Sequence, residues 1–291
     1  MLADRVIEAI KEKRENILSG NVNCIPSKFA RFRGDFIGIQ QGMYYLITAA
    51  PKCCKTQFTS FLFLYNALEF AYLHPEKIRL KVFYVALEES QDRVLLRYMS
   101  YLLYRLSGEK IRLSPSDLKS TDERRVLPEE IIDILESDEY RERFELFDKC
   151  VEFIDNRNPT GQYKTIKNYA DLHGKSVYTD VEYTDTNTGE VIKHKKFDHY
   201  EPDDKSEYVM WYVDHLSLLG LESGMNLRET INKESEYAVI VRNKYGYIPV
   251  FIQQQSTETG DLEAFKNRKI RPTVAGLSDS KYTAKDNLKS A

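Results

Sequence analysis

Residues 42–56 read GMYYLITAAPKCCKT and decide the fold of this 291-residue chain. The apolar, aromatic-rich first half is typical of a buried strand, and the spacing after Thr56 predicts a helix. A strand, a tight loop and a helix N-terminus turn backbone N–H groups toward one point, which favours a bound phosphate. The stretch is therefore predicted to be a nucleotide phosphate loop, in which Lys55 reaches the outer phosphates and Thr56 meets Mg²⁺.

The predicted loop differs from the usual phosphate-loop pattern at both ends. That pattern has glycine where this chain has Ala49 and Cys54. A Lys-Thr pair after an apolar run is also common by chance, so an ordinary strand-to-helix turn stays open as the alternative. The nucleotide-binding residues predicted from this stretch are Ala50, Pro51, Lys52, Cys53, Cys54, Lys55, Thr56 and Gln57.

Composition and charge narrow the class of protein. Hydrophobic residues make up 42% of the chain, and we predict one domain with a small insertion. The net charge of −3 does not by itself indicate a nucleic-acid-binding surface. Four cysteines without metal-ligand spacing favour a reducing compartment. No signal-peptide pattern or apolar run of transmembrane length is present, so no membrane contact and a cytoplasmic location are expected.

One amphipathic helix is predicted over residues 1–20. Its apolar residues recur at helical spacing on an otherwise charged segment that ends at Gly20. Two roles stay open for this apolar stripe, which could pack on the chain's own core or on a neighbouring subunit. Residues 21–291 are predicted to form the nucleotide-binding domain, with an irregular lead-in over residues 21–41.

Two further apolar strands are each predicted to end in a carboxylate. Residues 81–87 run into Glu88, and residues 208–213 run into Asp214. Continuous apolar character is typical of parallel strands covered on both faces, and their C-terminal ends form the edge where such sheets bind ligands. Glu88 is therefore a candidate general base, with a helix-initiating acid as the alternative, a role that suits Glu89 better. Asp214 is a candidate Mg²⁺ residue, with an ordinary strand-end cap as the alternative.

The chain between these two strands is predicted to be helical, with one β-hairpin. Residues 158–161 are predicted to be a turn before a helix over residues 163–172. From residue 176 the apolar period changes to two around an Asn-Thr-Gly turn, which predicts a hairpin insertion over about 176–206. No role for this hairpin follows from its residues.

A last apolar strand, residues 248–252, is predicted to run into three glutamines. Gln254 could sense the outer phosphate there and pass the signal to the loop that follows. That loop, residues 256–272, carries four cations after an aromatic residue, which suits contact with a phosphodiester backbone. A solvated charged run is the alternative. The predicted DNA-binding residues are Lys266, Arg268, Lys269 and Arg271.

The order of these motifs resembles the RecA-like ATPase core, and in detail the C-terminal ATPase domain of DnaB-type replicative DNA helicases. Among these helicases, the sequence most resembles phage-encoded members. The resemblance covers residues from about 24 to 286. It implies an α/β fold, a P-loop NTPase core with a mainly parallel central sheet flanked by helices, plus the hairpin. The matching stretches are residues 50–56 for the phosphate loop, 83–90 with Arg97 for the catalytic glutamate, 213–219 for the Mg²⁺ strand, 248–254 for the sensor strand, and 271–280 after the DNA loop.

The resemblance also implies a function. The expected protein is an ATP-dependent helicase of DNA replication that forms a hexameric ring and translocates on single-stranded DNA, using ATP and Mg²⁺. Glu88, Lys55 and Gln254 would be catalytic, and Thr56 and Asp214 would hold the metal. A primase or a helicase loader would be a candidate partner, and a phage-encoded member would work in the host cytoplasm.

Four features differ from the family pattern and keep a second function open. Cys54 replaces a glycine, a separate N-terminal helical domain is absent, the hairpin is extra, and the sequence ends at Ala291, before the expected arginine finger. These differences suit a nucleotide-binding scaffold or replication accessory protein with reduced or lost ATPase activity. The intact Lys55, Thr56, Glu88 and Asp214 favour the enzyme. A recombinase with the same core is a third and less similar candidate.

Overall fold

The structure is a computed structural model that describes residues 2–50, 52–121, 123–124, 126–184 and 191–255. The described strands are β1 (Ile25–Pro26), β2 (Gly38–Ile39), β3 (Tyr45–Ala49), β4 (Arg79–Ala86), β5 (Val151–Phe153), β6 (Gly174–Thr184), β7 (Val191–Pro202), β8 (Glu207–Asp214) and β9 (Ile248–Gln254). The described helices are α1 (Leu2–Leu18), α2 (Lys55–Thr59), α3 (Asn66–Leu73), α4 (Gln91–Leu106), α5 (Glu129–Glu136), α6 (Asp138–Cys150), α7 (Pro159–Leu172) and α8 (Leu227–Tyr245).

A five-stranded parallel sheet in the order β3-β9-β8-β4-β5 forms the centre of the molecule. Its register pairs Ala86 of β4 with Asp214 of β8, and Ala49 of β3 with Gln254 of β9. The carboxyl ends of the strands therefore lie along one edge, as parallel pairing requires.

Helices cover both faces of this sheet, so the strands are buried on both sides. On one face Leu64 and Leu103, from the helices after β3 and β4, pack in the same core as Tyr212. On the other face Ile166 of α7 and Ile231 of α8 pack in the same core as Trp211. The predicted α/β fold with a mainly parallel sheet and helices on both faces is confirmed.

Local signals explain where the helices begin and end, and they correct one prediction. α4 and α8 match the sequence periodicity, and α8 begins at a capping box formed by Asn226 and Glu229. The turn predicted at residues 158–161 was wrong, because α7 already begins at Pro159. The Asn158 side chain accepts a hydrogen bond from the Gly161 N–H, and proline suits the first helical position.

The helix after the phosphate loop is continuous but contains a wide turn. α2 passes into a π-helical segment, Ser60–Tyr65, and then into α3. Phe58 in the first turn of this helix is 40% exposed and stacks on Phe29 at a centroid distance of 5.7 Å. The lead-in predicted to be irregular also contains the short antiparallel pair β1–β2.

The predicted hairpin is present as the antiparallel pair β6–β7. Its base lies at the amino end of β8, so the hairpin leaves the sheet opposite the edge that carries Asp214. Tyr200 anchors this base, since its hydroxyl donates to the Ala170 carbonyl at 2.7 Å and its ring meets Tyr245 edge-on.

The N-terminal helix α1 does not bury its apolar stripe on the chain's own core. Val6, Ile7, Ile10 and Ile17 are each at least half exposed, so this alternative from the sequence is not observed. An ion pair between Arg5 and Asp198 at 3.0 Å joins α1 to the hairpin. No helix within the described residues is long and apolar enough to cross a membrane.

Candidate nucleotide site at the carboxyl edge of the sheet

The loop between β3 and α2 holds two non-glycine residues in the left-handed backbone region. Lys52 has φ +61°, and Cys54, directly before α2, has φ +55° and ψ +28°. Side chains make this region costly by roughly 1–2 kcal/mol per residue, whereas glycine adopts it freely. The backbone at Cys54 is therefore of the kind for which the usual phosphate-loop pattern has glycine.

Lys55 opens the helix and folds back over the loop. Its Nζ donates to the Ala50 carbonyl at 3.2 Å, so the ammonium group lies against the loop. Cys54, the capping residue, makes no side-chain hydrogen bond to the first turn. Unbonded N–H groups at a helix start favour a bound anion, and this helix runs on through the π-helical segment into α3.

Thr56 meets the end of β8, which lies 158 positions away in the sequence. Its Oγ1 donates to Asp214 Oδ1 at 3.1 Å. Asp214 is only 4% exposed, and burial raises its pKa to about 6. The Thr56 hydrogen bond and the Arg97 charge act against this rise, whereas the charges of Glu88 and Glu89 add to it. A cation bound beside this carboxylate would compensate for the burial of its charge.

The residues present fit a Mg²⁺ ion that is shared with a nucleotide. Mg²⁺ typically binds one or two carboxylates and substrate phosphates, and it keeps several waters. Asp214 and Thr56 supply a carboxylate and a hydroxyl on the loop side of the sheet. Among the described residues there is no cluster of three or more His, Cys, Asp and Glu that could hold a metal by itself.

Glu88 lies beside Asp214 and is open to solvent. The Leu87 N–H donates to the Asp214 carbonyl at 3.0 Å, which fixes the end of β4 next to β8. The Glu88 side chain is 54% exposed, and its Oε2 lies 3.7 Å from Nε2 of His215. A carboxylate at this exposed position is accessible to a water molecule.

The helix-initiating role considered for Glu88 belongs to its neighbour Glu89. Glu89 contacts Arg97 at 2.7 Å and Arg93 at 3.3 Å, both in α4. It therefore ties the start of α4 to the helix body. Ser90, two residues after Glu88, is the residue that precedes the helix.

Gln254 lies at the end of β9, next to Ala49 of β3. Successive side chains of a strand point to opposite faces, so Gln254 lies on the Asp214 face and Gln253 on the other. Gln253 is fully buried, and neither atom of its amide has a hydrogen-bond partner among the described residues. The sensor residue predicted from the sequence is thus on the same face as the loop and the carboxylate.

Two residues near Glu88 were not singled out from the sequence. His215 is buried, and burial lowers its pKa, although the Glu88 charge acts in the opposite direction. Arg157 follows β5, and its Nη2 donates to the carbonyls of Leu87 at 3.3 Å and Leu218 at 3.5 Å. Both residues follow strands of the parallel sheet, which is the signal that could have identified them.

Part of the predicted site lies outside the described residues. This applies to Pro51 of the phosphate loop and to the loop 256–272, with the DNA-binding candidates Lys266, Arg268, Lys269 and Arg271. It also applies to residues 276–280. The described residues therefore cover the predicted nucleotide and metal positions other than Pro51, and the DNA contacts stay predictions.

Comparisons with known proteins find a similar fold in a solved structure but no match in sequence. No protein-family model and no curated protein matches the chain. A solved structure of a DnaB-like replicative helicase and its interactions with primase is similar, with a TM-score of 0.58 and 15% identity. The match covers 96% of this chain and 54% of the matched helicase chain, so this chain spans about half the length of that chain. At this identity the similarity establishes a DnaB-like fold.

Proposed function

We propose that this chain is an ATP-dependent DNA helicase of DNA replication, which translocates on single-stranded DNA by hydrolysing ATP. The contact between Thr56 and Asp214 at 3.1 Å carries the proposal. It joins the first turn after the phosphate loop to the carboxylate at the end of β8, beside Lys55 and Glu88. The DnaB-like fold favours a helicase over other ATPases.

Each residue of the site has a role in this proposal. Lys55 and the N–H groups of the loop bind the triphosphate, and Thr56 with Asp214 holds Mg²⁺. A Mg²⁺ ion held by these two residues would supply positive charge beside the phosphates. Glu88 accepts a proton from the attacking water, and the buried His215 beside it keeps the carboxylate in position. Gln254 links the outer phosphate to the chain that follows β9.

The proposal extends to assembly and partners. We expect a hexameric ring, since replicative helicases of this type complete each ATP site with a residue from the neighbouring subunit. A primase or a helicase loader is the expected protein partner, and the solved structure with the similar fold includes interactions with primase. A phage-encoded member would act in the host cytoplasm.

A second candidate function is a nucleotide-binding scaffold or replication accessory protein without turnover. Cys54 favours it, because its side chain projects from backbone at φ +55° where phosphate must approach closely. Such a protein would keep ATP binding and lose hydrolysis. The two candidates therefore differ in one measurable property, the rate of ATP turnover.

The test compares Glu88→Gln with Glu89→Gln in the full chain. The first change removes the base but keeps its size and hydrogen bonding, so ATP turnover should be lost while ATP affinity stays within about twofold of the parent. Glu89→Gln weakens the contact with Arg97 and should lower stability but retain turnover. Equal turnover in the parent and Glu88→Gln would remove Glu88 from the mechanism. ATP binding without turnover by the parent would select the scaffold.

A further inference from the structure

A groove of about 470 Å³ lies between the helix that follows the phosphate loop and α4. This volume lies in the range of about 300–1,000 Å³ that is typical of small-molecule sites. The residues that define its character are Gln57, Arg97, Ser100, Tyr104, Arg112 and Ser114. None of the described residues that line it is acidic.

The groove begins where the nucleotide site ends. Gln57 directly follows Thr56 and lies on the exposed side of the first turn of α2. Arg97 forms the opposite wall and contacts Glu89, the residue after Glu88. The groove is therefore bounded by Gln57, next in sequence to Thr56, and by Arg97, which is paired with the residue next to Glu88.

The side chains of the groove suit a flat, polar aromatic group. The Arg112 guanidinium lies 5.8 Å from the centre of the Tyr104 ring, and such rings and guanidinium planes stack on nucleobases. The Ser100 hydroxyl donates to the Leu113 carbonyl, and the Ser114 hydroxyl donates to Asp117 at 2.7 Å. The Ser114 oxygen also accepts from the Asp117 N–H at 3.2 Å. Because a hydroxyl oxygen can accept two hydrogen bonds, each of the two oxygens can still accept one from an amino group on a base.

From this position and chemistry we infer that the groove binds the base and sugar of the nucleotide whose phosphates the loop holds. The inference rests on the proposed function, because it needs a nucleotide at the loop. Tyr104 stacks on the base, and Arg97 lies at the inner end, where the sugar joins the phosphates. Tyr101 also lines the groove and is held in place, since its ring stacks on Tyr65 and its hydroxyl donates to Glu69.

The first test separates the base from the phosphates by calorimetry with ATP and inorganic tripolyphosphate. Tyr104→Ala should weaken ATP binding by about tenfold and leave tripolyphosphate affinity unchanged, because only ATP carries a base to stack. Tyr104→Phe keeps the ring and should bind ATP like the parent. Unchanged ATP affinity in Tyr104→Ala, or an equal loss for both ligands, would overturn the inference.

Lys55→Ala distinguishes failure of the groove from failure of the proposed function. This change should weaken both ligands, because both carry phosphates for Lys55 to bind. If Lys55→Ala leaves both affinities unchanged, the assignment of this loop as a phosphate-binding loop is wrong, and so is the nucleotide assignment of the groove, which depends on it. If Lys55→Ala weakens the binding of both ligands and Tyr104→Ala weakens the binding of neither, the phosphate loop is supported and the groove assignment is wrong.

A second measurement uses the unmodified chain, so it does not depend on how a variant folds. ATP with a photoreactive azide on its base is bound, illuminated and mapped after trypsin digestion. The label should lie on residues 98–105, which include Ser100 and Tyr104, or on residues 113–119, which include Ser114. Excess ATP should suppress it. A label found only after residue 255 would overturn the inference.

Discussion

Replacing Cys54 by glycine tests whether the phosphate loop carries backbone strain. Cys54 has φ +55°, which costs a residue with a side chain roughly 1–2 kcal/mol relative to glycine. Glycine in turn costs about 0.5–1 kcal/mol through its greater freedom in the unfolded chain. Cys54→Gly should therefore raise the free energy of unfolding by about 0.5–1 kcal/mol.

The neighbouring Cys53 provides the matched control, since it is also an exposed cysteine of the loop but does not have a positive φ. Cys53→Gly should lower the free energy of unfolding by about 0.5–1 kcal/mol, because it adds freedom without relieving strain. Urea denaturation of the parent and both variants measures the difference, which should be roughly 1–2 kcal/mol. Equal destabilisation by the two changes would refute the strain at Cys54.

The same variants also test access of phosphate to the loop. Strain that is present without nucleotide affects stability, whereas crowding by the Cys54 side chain affects ATP affinity. If the side chain crowds the phosphates, Cys54→Gly should tighten ATP binding by up to about tenfold, which corresponds to about 1.4 kcal/mol. A thiol reagent should block nucleotide binding in the parent, but not through position 54 in this variant. Unchanged affinity would mean that the loop already accepts a side chain at this position.

Three further predictions concern the carboxylate edge and the DNA loop. Because the pKa of Asp214 is raised to about 6, its protonated form should stabilise the fold of the Mg²⁺-free protein below about pH 4, and this stabilisation should be lost as pH rises through about 6. The difference in unfolding free energy between the parent and Asp214→Asn should therefore change by about 3 kcal/mol between pH 3.5 and 7, and a constant difference would contradict the raised pKa. His215→Phe removes the imidazole 3.7 Å from Glu88 and should lower kcat about tenfold with unchanged ATP affinity; an unchanged kcat would exclude this positioning role. Replacing Lys266, Arg268 and Lys269 together by alanine should weaken single-stranded DNA binding and flatten its dependence on salt, because fewer counterions are released; an unchanged slope would return this run to a solvated surface.

The strands and long helices could be predicted because the pattern of apolar residues along each element indicates which of its faces are buried. β8 is apolar at every position before Asp214, except for Glu207 at its start, which is the pattern of a strand covered on both faces. α8 has a periodic apolar face, a capping pair at its start and Gly246 after its end, so both boundaries could be identified. Long elements with several agreeing signals are therefore the ones that the sequence specifies well.

Short and long-range features could not be predicted in the same way. β1 and β2 are two residues each, which is too short for any period to emerge. The π-helical segment Ser60–Tyr65 has the same apolar spacing as an ordinary helix, so the wide turn leaves no mark in the sequence. The start of α7 was missed because Asn158, Pro159 and Gly161 also form a common turn pattern.

The candidate site could be predicted by residue type but not by contact. Lys55, Thr56, Glu88 and Asp214 follow strands, and parallel strands bring their ends together. The sequence favoured Glu89 over Glu88 as the helix-initiating acid, but the contacts of Glu89 with Arg93 and Arg97 could not be predicted, since they depend on where these arginines lie in the folded α4.

The rate of ATP hydrolysis by the full chain, with and without single-stranded DNA, tests the central claim most directly. We expect ATP turnover that requires Mg²⁺, rises when single-stranded DNA is added, and disappears in Glu88→Gln. Double-stranded DNA of the same length serves as the control and should stimulate less. Hydrolysis that ignores single-stranded DNA, or no hydrolysis under conditions where ATP binds, would contradict a DNA-translocating helicase.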